Sequence, residues 1–228
     1  MVITGGPGTG KTTIINAIIK IYYSLGTKIL LAAPTGRAAK RMVETTGHKA
    51  VTIHRLLEYS FAKGGFVKND KKKLNCGLLI IDEASMINTV LMHHLLKAVP
   101  LSATLILVGD VNQLPSVGAG SVLKDIIDSG LIYIAELNEI FRQARESLII
   151  VNAHKINRGI IPELKNSSSN ADFYFIEKND PEKVLDIIIA LVKERIPKKF
   201  GFNPLRDIQV LTPMHNGVVG SRNLNIKL

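Results

Sequence analysis

The sequence predicts an α/β fold in which a parallel sheet is covered by helices on both faces. Three observations lead to this prediction. Short apolar runs without alternation, such as LLIID at Leu78–Asp82, are typical of strands that are buried on both faces. Longer stretches with the spacing of amphipathic helices separate these runs. The two kinds of segment alternate, as parallel strands joined by helical crossovers require.

The first part of the chain contains five such strands and four helices. Each predicted strand is an apolar run: Val2–Ile3, Lys28–Pro34, Leu78–Asp82, Thr104–Asp110 and Leu131–Leu137. Each predicted helix repeats apolar residues at helical intervals: Lys11–Ser24, Gly36–Thr46, Thr89–Val99 and Gly120–Ser129. No internal repeat interrupts this order.

The pattern changes after Arg142, so we predict a domain of residues 1–142 and a second one of residues 143–228. Helices are expected at Ser147–Arg158 and at Pro181–Arg195, where the proline suits a first helical turn. The polar run Asn166–Asn170 indicates a loop. Strands are expected at Phe173–Glu177 and Asp207–Pro213.

Composition narrows the class of protein. The chain has 228 residues and a formal net charge of +10, which favours polyanionic partners, nucleic acid before membrane surfaces. No apolar run reaches the roughly 20 residues of a membrane span, and the start lacks the basic region of a signal peptide. The single cysteine, Cys76, cannot form an internal disulfide and suits a reducing compartment. We therefore expect no membrane association and a cytoplasmic location.

The segment GGPGTGKT, Gly5–Thr12, has the spacing of a phosphate-binding loop, with a strand before it and a helix after it. Glycines let successive backbone N–H groups converge on phosphates, and the helix amino terminus adds positive potential. Lys11 would reach the β- and γ-phosphates, and the Thr12 hydroxyl would bind Mg²⁺. The alternative is a glycine-rich turn with an incidental lysine. The residues predicted to hold the nucleotide are Gly6, Gly8, Thr9, Gly10, Lys11, Thr12 and Thr13.

Polar side chains follow two of the buried strands. Asp82 and Glu83 end LLIIDE, where open parallel sheets place ligands, so Asp82 is a candidate Mg²⁺ ligand and Glu83 a candidate activator of water. The alternative is a carboxylate pair that caps the next helix. Gln113, in LILVGDVNQLP, would leave the sheet at the same edge, and its amide can both donate to a γ-phosphate and accept from water.

In combination, these and further segments resemble the superfamily 1 helicases of the 5′-to-3′ branch, above all RecD-like proteins such as the exodeoxyribonuclease V alpha subunit. The resemblance implies a RecA-like P-loop NTPase lobe, part of a second RecA-like lobe, ATP and Mg²⁺ as cofactors, and ATP-driven movement along single-stranded DNA in recombination and repair. This expectation rests on seven segments that occur in family order: GGPGTGKTT, APTGRAAKRM, TIHRLL, IDEASM, GDVNQLPSVGAG, IFRQA and LTPMHNGVVGSRNLN.

The resemblance also implies roles for single residues. Lys11, Glu83, Gln113 and Arg142 match the catalytic positions, with Gln113 as the coupling residue and Arg142 reaching the γ-phosphate from the second lobe. Without the motif, Arg142 would be interpreted as a surface cation. Partners implied are single-stranded DNA, its junctions with duplex, and the subunits of a helicase-nuclease.

Two segments resemble those that hold single-stranded DNA in the family. In APTGRAAKR, Thr35 can cap a helix whose amino terminus faces a backbone phosphate, beside Pro34 and Arg37. Lys40 and Arg41 either add charge or only line a solvated face. In TIHRLL the candidates are Thr52 and His54, although an isolated histidine is more often packed or capping.

Residues 58–75 are expected to insert a β-hairpin. Gly64 and Gly65 lie between Phe61 and Phe66, which indicates a turn, and lysines are frequent from Lys63 to Lys73. Relatives carry a strand-separating pin at this place. A solvated surface hairpin is the alternative.

The family pattern is incomplete in this chain. A nucleotide-base segment upstream and motifs downstream, including one with an arginine finger, have no counterpart, and only Met1–Ile3 precede the glycine loop. We therefore expect a piece of a longer protein, with weak turnover on its own. The alternatives are an ATP-responsive DNA-binding module, a conjugative relaxase-helicase and, less well matched, a small-molecule kinase.

Overall fold

The computed structural model describes residues 1–62, 64–139, 146–164 and 172–228. The chain divides into two compact units, Met1–Phe173 and Tyr174–Leu228. The domain boundary predicted after residue 142, and the loop predicted at Asn166–Asn170, lie outside the described residues. The limits of the predicted domains therefore stay a prediction, and each unit is described by itself.

The first unit is built on a parallel sheet of six strands. In spatial order these are β3 (Ala50–Thr52), β2 (Ile29–Ala33), β6 (Leu78–Ile81), β7 (Thr104–Gly109), β1 (Val2–Gly5) and β8 (Ile134–Leu137). Every pairing is parallel, with Leu79 opposite Leu105 and Ile3 opposite Val108. The five strands predicted from the sequence are present, and β3 is an edge strand that the sequence pattern did not predict.

Helices cover both faces of this sheet, as predicted. They are α1 (Lys11–Ser24), α2 (Gly36–Thr46), α3 (Ile53–Leu56), α4 (Thr89–Ala98) and α5 (Val122–Asp128), with a 3₁₀ turn at Ala84–Met86. A further helix of this unit, α6, spans Leu148–Asn157. Bounds predicted for α1 and α2 agree with the structure.

Alternate residues of each strand supply two separate cores. Ile80 and Val108 pack on one face with Ile15 of α1. Leu79 and Leu107 pack on the other face in a core that includes residues of α4 and α5. All four residues of β6 are fully buried, which is why this strand has no polar residue until Asp82.

A short hairpin lies between α3 and β6. Its strands β4 (Tyr59–Ser60) and β5 (Gly65–Phe66) pair antiparallel. Gly64 has a φ of 60°, in the left-handed region that a tight turn needs and glycine adopts at low cost. The expected hairpin is therefore present, whereas its role as a pin stays a prediction.

The second unit is helical in its described part. α7 (Pro181–Ala190) continues through a π-helical stretch, Leu191–Arg195, into α8 (Ile196–Phe200), and α9 spans Ser221–Lys227. Asp180 caps α7 by accepting from the Glu182 N–H at 3.0 Å, and Pro181 occupies the first turn. The helix predicted to end at Arg195 thus runs on past Pro197.

Two strand predictions are wrong. Neither Phe173–Glu177 nor Asp207–Pro213 is extended in a sheet, and the second unit contains no strand among its described residues. A strand is stable only when its backbone N–H and C=O groups pair with a neighbour. Leu211 is 85% exposed and Phe175 is 50% exposed, so these apolar residues are not covered within the described part.

Across the described residues, no helix is both long and apolar enough to cross a bilayer.

Candidate functional site

The carboxyl ends of the parallel strands meet at one edge of the sheet, and this edge holds most of the predicted site. The loop after β1 turns into α1 through Gly8 and Gly10, whose φ angles of 76° and 86° are left-handed. Gly10 caps α1 without a side chain, so the first N–H groups of that helix face the loop. This is the arrangement that binds phosphate at a helix amino terminus.

Lys11 is tied to its own loop. Its Nζ donates to the carbonyl oxygens of Gly5 at 2.6 Å and of Gly6 at 2.9 Å. The Thr9 hydroxyl donates to the same Gly6 carbonyl at 2.9 Å. An ammonium has three protons, so one remains for a phosphate oxygen while the loop holds the side chain in place.

Asp82 and Glu83 are placed by a strained turn at the end of β6. Glu83 has a φ of 52°, which is unusual for a residue with a side chain, and its N–H donates to Asp82 Oδ1 at 2.9 Å. Burial raises the pKa of the Asp82 carboxyl above its ordinary value, against the Glu83 hydrogen bond, Lys11 and Arg41. Burial and the neighbouring Asp82 raise the pKa of Glu83. Strain and unfavourable burial of charge are typical of functional sites.

Gln113 is delivered by a turn that Asp110 organises. Asp110 is 3% exposed, and its Oδ1 accepts from the Asn112 N–H at 3.0 Å, while its backbone carbonyl accepts from the Gln113 N–H at 3.2 Å. Because β7 lies between β1 and β6, this turn is flanked by the phosphate loop and the carboxylate pair.

One cavity of about 270 Å³ unites these elements. It is lined by Pro7, Gly8, Thr9, Gly10, Lys11, Thr12, Arg41, Thr45, Asp82, Glu83 and Gln113. Arg41 and Thr45 were not predicted to belong to this site. Their spacing of four residues on α2 puts them on one helix face, a signal that becomes useful only once α2 is known to border the loop.

The donors present suit a magnesium ion that is bound mainly by phosphate. Mg²⁺ prefers oxygen ligands and commonly takes one or two from the protein and the rest from phosphate and water. The Thr12 hydroxyl and the Asp82 carboxylate line the same cavity. No cluster of three or more acidic, histidine or cysteine side chains that could hold a metal by itself occurs in the described residues. A site of this kind fits Mg²⁺ bound together with a nucleotide.

The predicted DNA-contacting residues are found at neighbouring strand ends. Thr35, after Pro34, caps α2 by accepting from the Ala38 N–H at 3.2 Å, and Arg37 is exposed in the first turn of that helix. Thr52 ends β3 and caps α3 by accepting from the Arg55 N–H at 3.2 Å. The cap predicted for Thr35 is present, and that of Thr52 was not predicted.

His54 belongs to a second, larger cavity of about 730 Å³ beside the hairpin. Aromatic rings dominate its wall: the centroid of Tyr59 lies 5.1 Å from that of Phe61 and 5.1 Å from that of Phe66. The Phe66 and His94 rings are 4.9 Å apart. Burial, with His93 and Lys97 adding to it, lowers the pKa of His94, which favours a neutral ring. Thr52, Arg55 and Asn88 also line this cavity.

Some predicted residues do not face either cavity. Pro34, Thr35 and Arg37 line neither, and Thr13 follows on α1 with an exposed side chain. Gly6 also lines neither cavity, and its backbone packs against His154. Arg142 is outside the described residues, so its predicted role is not located.

A glycine loop at a helix start, with an Asp–Glu pair at the end of a nearby parallel strand, defines a P-loop nucleotide-binding protein. The chain belongs to the AAA domain family, which matches residues 1–119.

Curated relatives agree with the resemblance predicted from the motifs. The chain is 38% identical over 228 residues to the ATP-dependent RecD2 DNA helicase of Deinococcus radiodurans, covering all of this chain and 30% of the relative. It is 40% identical over 220 residues to the RecBCD enzyme subunit RecD of Mycobacterium tuberculosis, covering 83% of this chain and 37% of the relative. The predicted RecD-like resemblance is thus confirmed, and the chain spans about a third of these proteins.

A solved structure supports the fold. The Pif1 helicase of Candida albicans superposes with a TM-score of 0.51 at 22% identity, over 72% of this chain and 41% of that one. The RecA-like parallel sheet predicted from the sequence is confirmed by this likeness.

The raised pKa of Asp82 leads to a stability prediction. Because the folded state holds this proton more tightly than the unfolded chain, stability is lost as pH rises from the ordinary aspartate pKa of 3.8 through the folded value. Asp82→Asn keeps an acceptor for Glu83 but removes the charge. We expect the variant to be more stable than wild type at neutral pH, with the gain vanishing below about pH 3.8.

Urea unfolding measured across this pH range would check it. Asp172→Asn serves as a control of opposite sign, because hydrogen bonds from Ser147 and from backbone N–H groups lower the pKa of Asp172. That substitution should cost stability at neutral pH. A loss of stability in Asp82→Asn at neutral pH would contradict the prediction.

Proposed function

We propose that this chain is the nucleotide-binding part of an ATP-dependent DNA helicase or translocase that moves along single-stranded DNA. The observation that carries the proposal is the 270 Å³ cavity, in which the phosphate loop, the Asp82–Glu83 pair and Gln113 converge. A small-molecule kinase needs the first two of these but not an uncharged amide at the end of the strand between them.

Several of the lining groups have a part in ATP hydrolysis under this proposal. Lys11 and the loop N–H groups bind phosphate, while Thr12 and Asp82 hold Mg²⁺. Glu83 orients and polarises the attacking water, and burial that raises its pKa makes it a better proton acceptor. Arg41, whose charge acts on both carboxylates, offers a further cation at the same cavity.

Single-stranded DNA is proposed to cross the neighbouring strand ends. Thr35 caps α2, whose first N–H groups suit a backbone phosphate, and Arg37 adds charge in its first turn. Thr52 lies at the end of the neighbouring strand, where it caps the short helix α3. The aromatic cavity suits bases, because stacking on Tyr, Phe and His rings is tolerant of sequence. His54 is exposed at this cavity and can contact the strand there.

The two cavities are connected by the chain that follows Gln113 and by the hydrogen bonds that this chain makes to Asn88 and Thr89. The loop after Gln113 returns to α4, where the Thr89 N–H donates to the Ala119 carbonyl at 3.0 Å and Asn88 Nδ2 lies 3.4 Å from the Val117 carbonyl. Asn88 also lines the aromatic cavity. A shift of Gln113 towards a γ-phosphate would therefore displace Asn88 at the proposed base site. This connection supports the assignment of Gln113 as the coupling residue.

The wider context is proposed from the relatives. The Deinococcus relative is named a DNA helicase and the mycobacterial one a RecBCD subunit. We infer 5′-to-3′ movement, action at junctions of duplex and single strand with the hairpin as a pin, association with helicase-nuclease subunits and a cytoplasmic place in recombination and repair. Residues 143–228 would belong to a second RecA-like lobe, with Arg142 at its border.

One prediction tests the nucleotide site. Lys11→Ala should remove most Mg²⁺–ATP binding, because it deletes the loop ammonium that keeps a proton free for phosphate. Calorimetric titration measures the affinity. Lys20→Ala is the matched control, since Lys20 is an exposed lysine on the same helix. Equal affinity in wild type and Lys11→Ala would show that this loop is not the site.

Another prediction tests the hairpin lysines. Lys72 Nζ lies 3.7 Å from Glu58 Oε2, and Lys73 Nζ donates to the Lys97 carbonyl. Lys71 is therefore the most available of the three for contact with a DNA phosphate. Replacing Lys71, Lys72 and Lys73 with glutamine should flatten the slope of log K against log salt for single-stranded DNA. The expected change is about 0.7 for each DNA phosphate that the variant no longer neutralises.

Fluorescence anisotropy at several salt concentrations gives this slope, and Lys20→Gln is the control. An unchanged slope in the triple variant would leave these lysines as solvated surface that does not touch the strand.

A further prediction concerns Gln113 in the full-length protein. Gln113→Ala should leave ATP binding nearly unchanged, because one neutral hydrogen bond contributes only about 0.5–1.5 kcal/mol. Stimulation of ATPase by DNA, and unwinding, should fall. Gln113→Glu should be worse, because a carboxylate repels the γ-phosphate.

ATPase rate against DNA concentration separates these outcomes. The neighbouring Asn112→Ala is the control, since Asn112 does not line the cavity. Full stimulation and unwinding in Gln113→Ala would exclude the coupling role. Absence of DNA-stimulated turnover in the wild type would favour an ATP-responsive binding module.

A further inference from the structure

His154, on α6, lies against the back of the phosphate loop. Its Nε2 is 3.4 Å from the carbonyl oxygen of Pro7. A carbonyl can only accept, so a hydrogen bond here requires the proton on Nε2. A methyl group built onto Gly6 would lie 2.7 Å from His154 Cε1, so the imidazole packs directly on the Gly6 backbone. His154 is not among the site residues predicted from the sequence.

The backbone that His154 touches is the one that holds the reactive side chains. Gly6 gives its carbonyl to both Lys11 Nζ and the Thr9 hydroxyl. A rotation of the Gly6–Pro7 peptide would break both bonds at once. The imidazole restricts that rotation by packing on Gly6, and its hydrogen bond to the Pro7 carbonyl holds the next peptide, Pro7–Gly8.

α6 is held firmly enough to serve as a support. Ser147 caps its start and donates to Asp172, whose other carboxylate oxygen accepts from the Leu148 N–H at 2.8 Å. Asn152 is only 1% exposed. Its Nδ2 donates to the Glu163 carbonyl at 3.0 Å, and its Oδ1 accepts from the Glu163 N–H at 2.8 Å. These bonds hold the first turn and the middle of the helix, and His154 follows Asn152 by two residues.

We propose that His154 is a positioning residue for nucleotide binding, which holds the loop backbone at Gly6 and Pro7 so that Lys11 and the loop N–H groups keep their phosphate-binding geometry. The inference rests on the proposed nucleotide function of the loop. Through α6 it makes the loop geometry depend on the segment after residue 146, which lies beyond the matched AAA domain at residues 1–119.

A double-mutant cycle tests the contact. Gly6 is not among the glycines with left-handed φ, so alanine fits its backbone, and the three atoms nearest to the added methyl all belong to His154. In the full-length protein, Gly6→Ala should weaken Mg²⁺–ATP binding in the wild-type background and by much less in the His154→Ala background. We expect the two costs to differ by at least about threefold.

A second comparison separates positioning from bulk packing. His154→Leu fills space without a donor and should weaken ATP binding roughly threefold to tenfold, the range of one lost hydrogen bond. His154→Gln, which keeps an N–H near Nε2, should recover most of the affinity. His48→Ala, at an exposed histidine, is the control, and melting temperatures confirm that each variant is folded.

The outcomes are distinguishable. Equal costs of Gly6→Ala in both backgrounds, or equal affinities of His154→Leu and wild type, would overturn the role of His154 while the wild type still binds ATP. A wild type that binds no ATP, with Lys11→Ala unchanged, would instead overturn the proposed nucleotide function.

Discussion

The parallel pairing that places β7 between β1 and β6 is the constraint on which the site depends. Parallel strands end at the same edge, so the loop after β1, the acidic pair after β6 and the turn after β7 are brought to one place. None of these segments is near another in sequence. The pairing itself is secured by burial, because all of Leu78–Ile81 and most of β7 are covered on both faces. The hydrophobic effect therefore sets the relative position of groups that are themselves polar.

The same burial makes the site unfavourable for the stability of the folded state. Asp82 and Glu83 would be better solvated at the surface, and burial raises the pKa of both carboxyls. Glu83 also occupies a left-handed backbone conformation that a residue with a side chain adopts at an energetic cost. The surrounding cores stabilise the fold enough to hold this arrangement. The outcome is a carboxylate pair ready to bind a cation and orient water when nucleotide adds its own charge.

Loops around the cavity connect it to other surfaces. The loop after Gln113 accepts hydrogen bonds from Asn88 and Thr89 at the start of α4. Asn88 also lines the aromatic cavity. On the opposite side of the phosphate loop, His154 connects Gly6 to α6. Because packed interiors transmit displacement, a nucleotide-dependent movement of the loop after Gln113 would displace the start of α4. A movement of the phosphate loop would likewise displace α6.

The sequence by itself determined what is local. Uninterrupted apolar runs and helical periodicity predict the sheet and the helices on both of its faces. The glycine spacing and the strand ends predict the positions of Lys11 and Asp82. Each of these signals lies within one segment. The tertiary structure alone decided which segments meet. It brought Arg41 to the carboxylates and His154 to the glycine loop, contacts between residues far apart in sequence that no local period encodes. It also decided that Asp207–Pro213 is not a strand, because an extended segment needs a pairing neighbour, and whether one is at hand depends on the fold rather than on the segment.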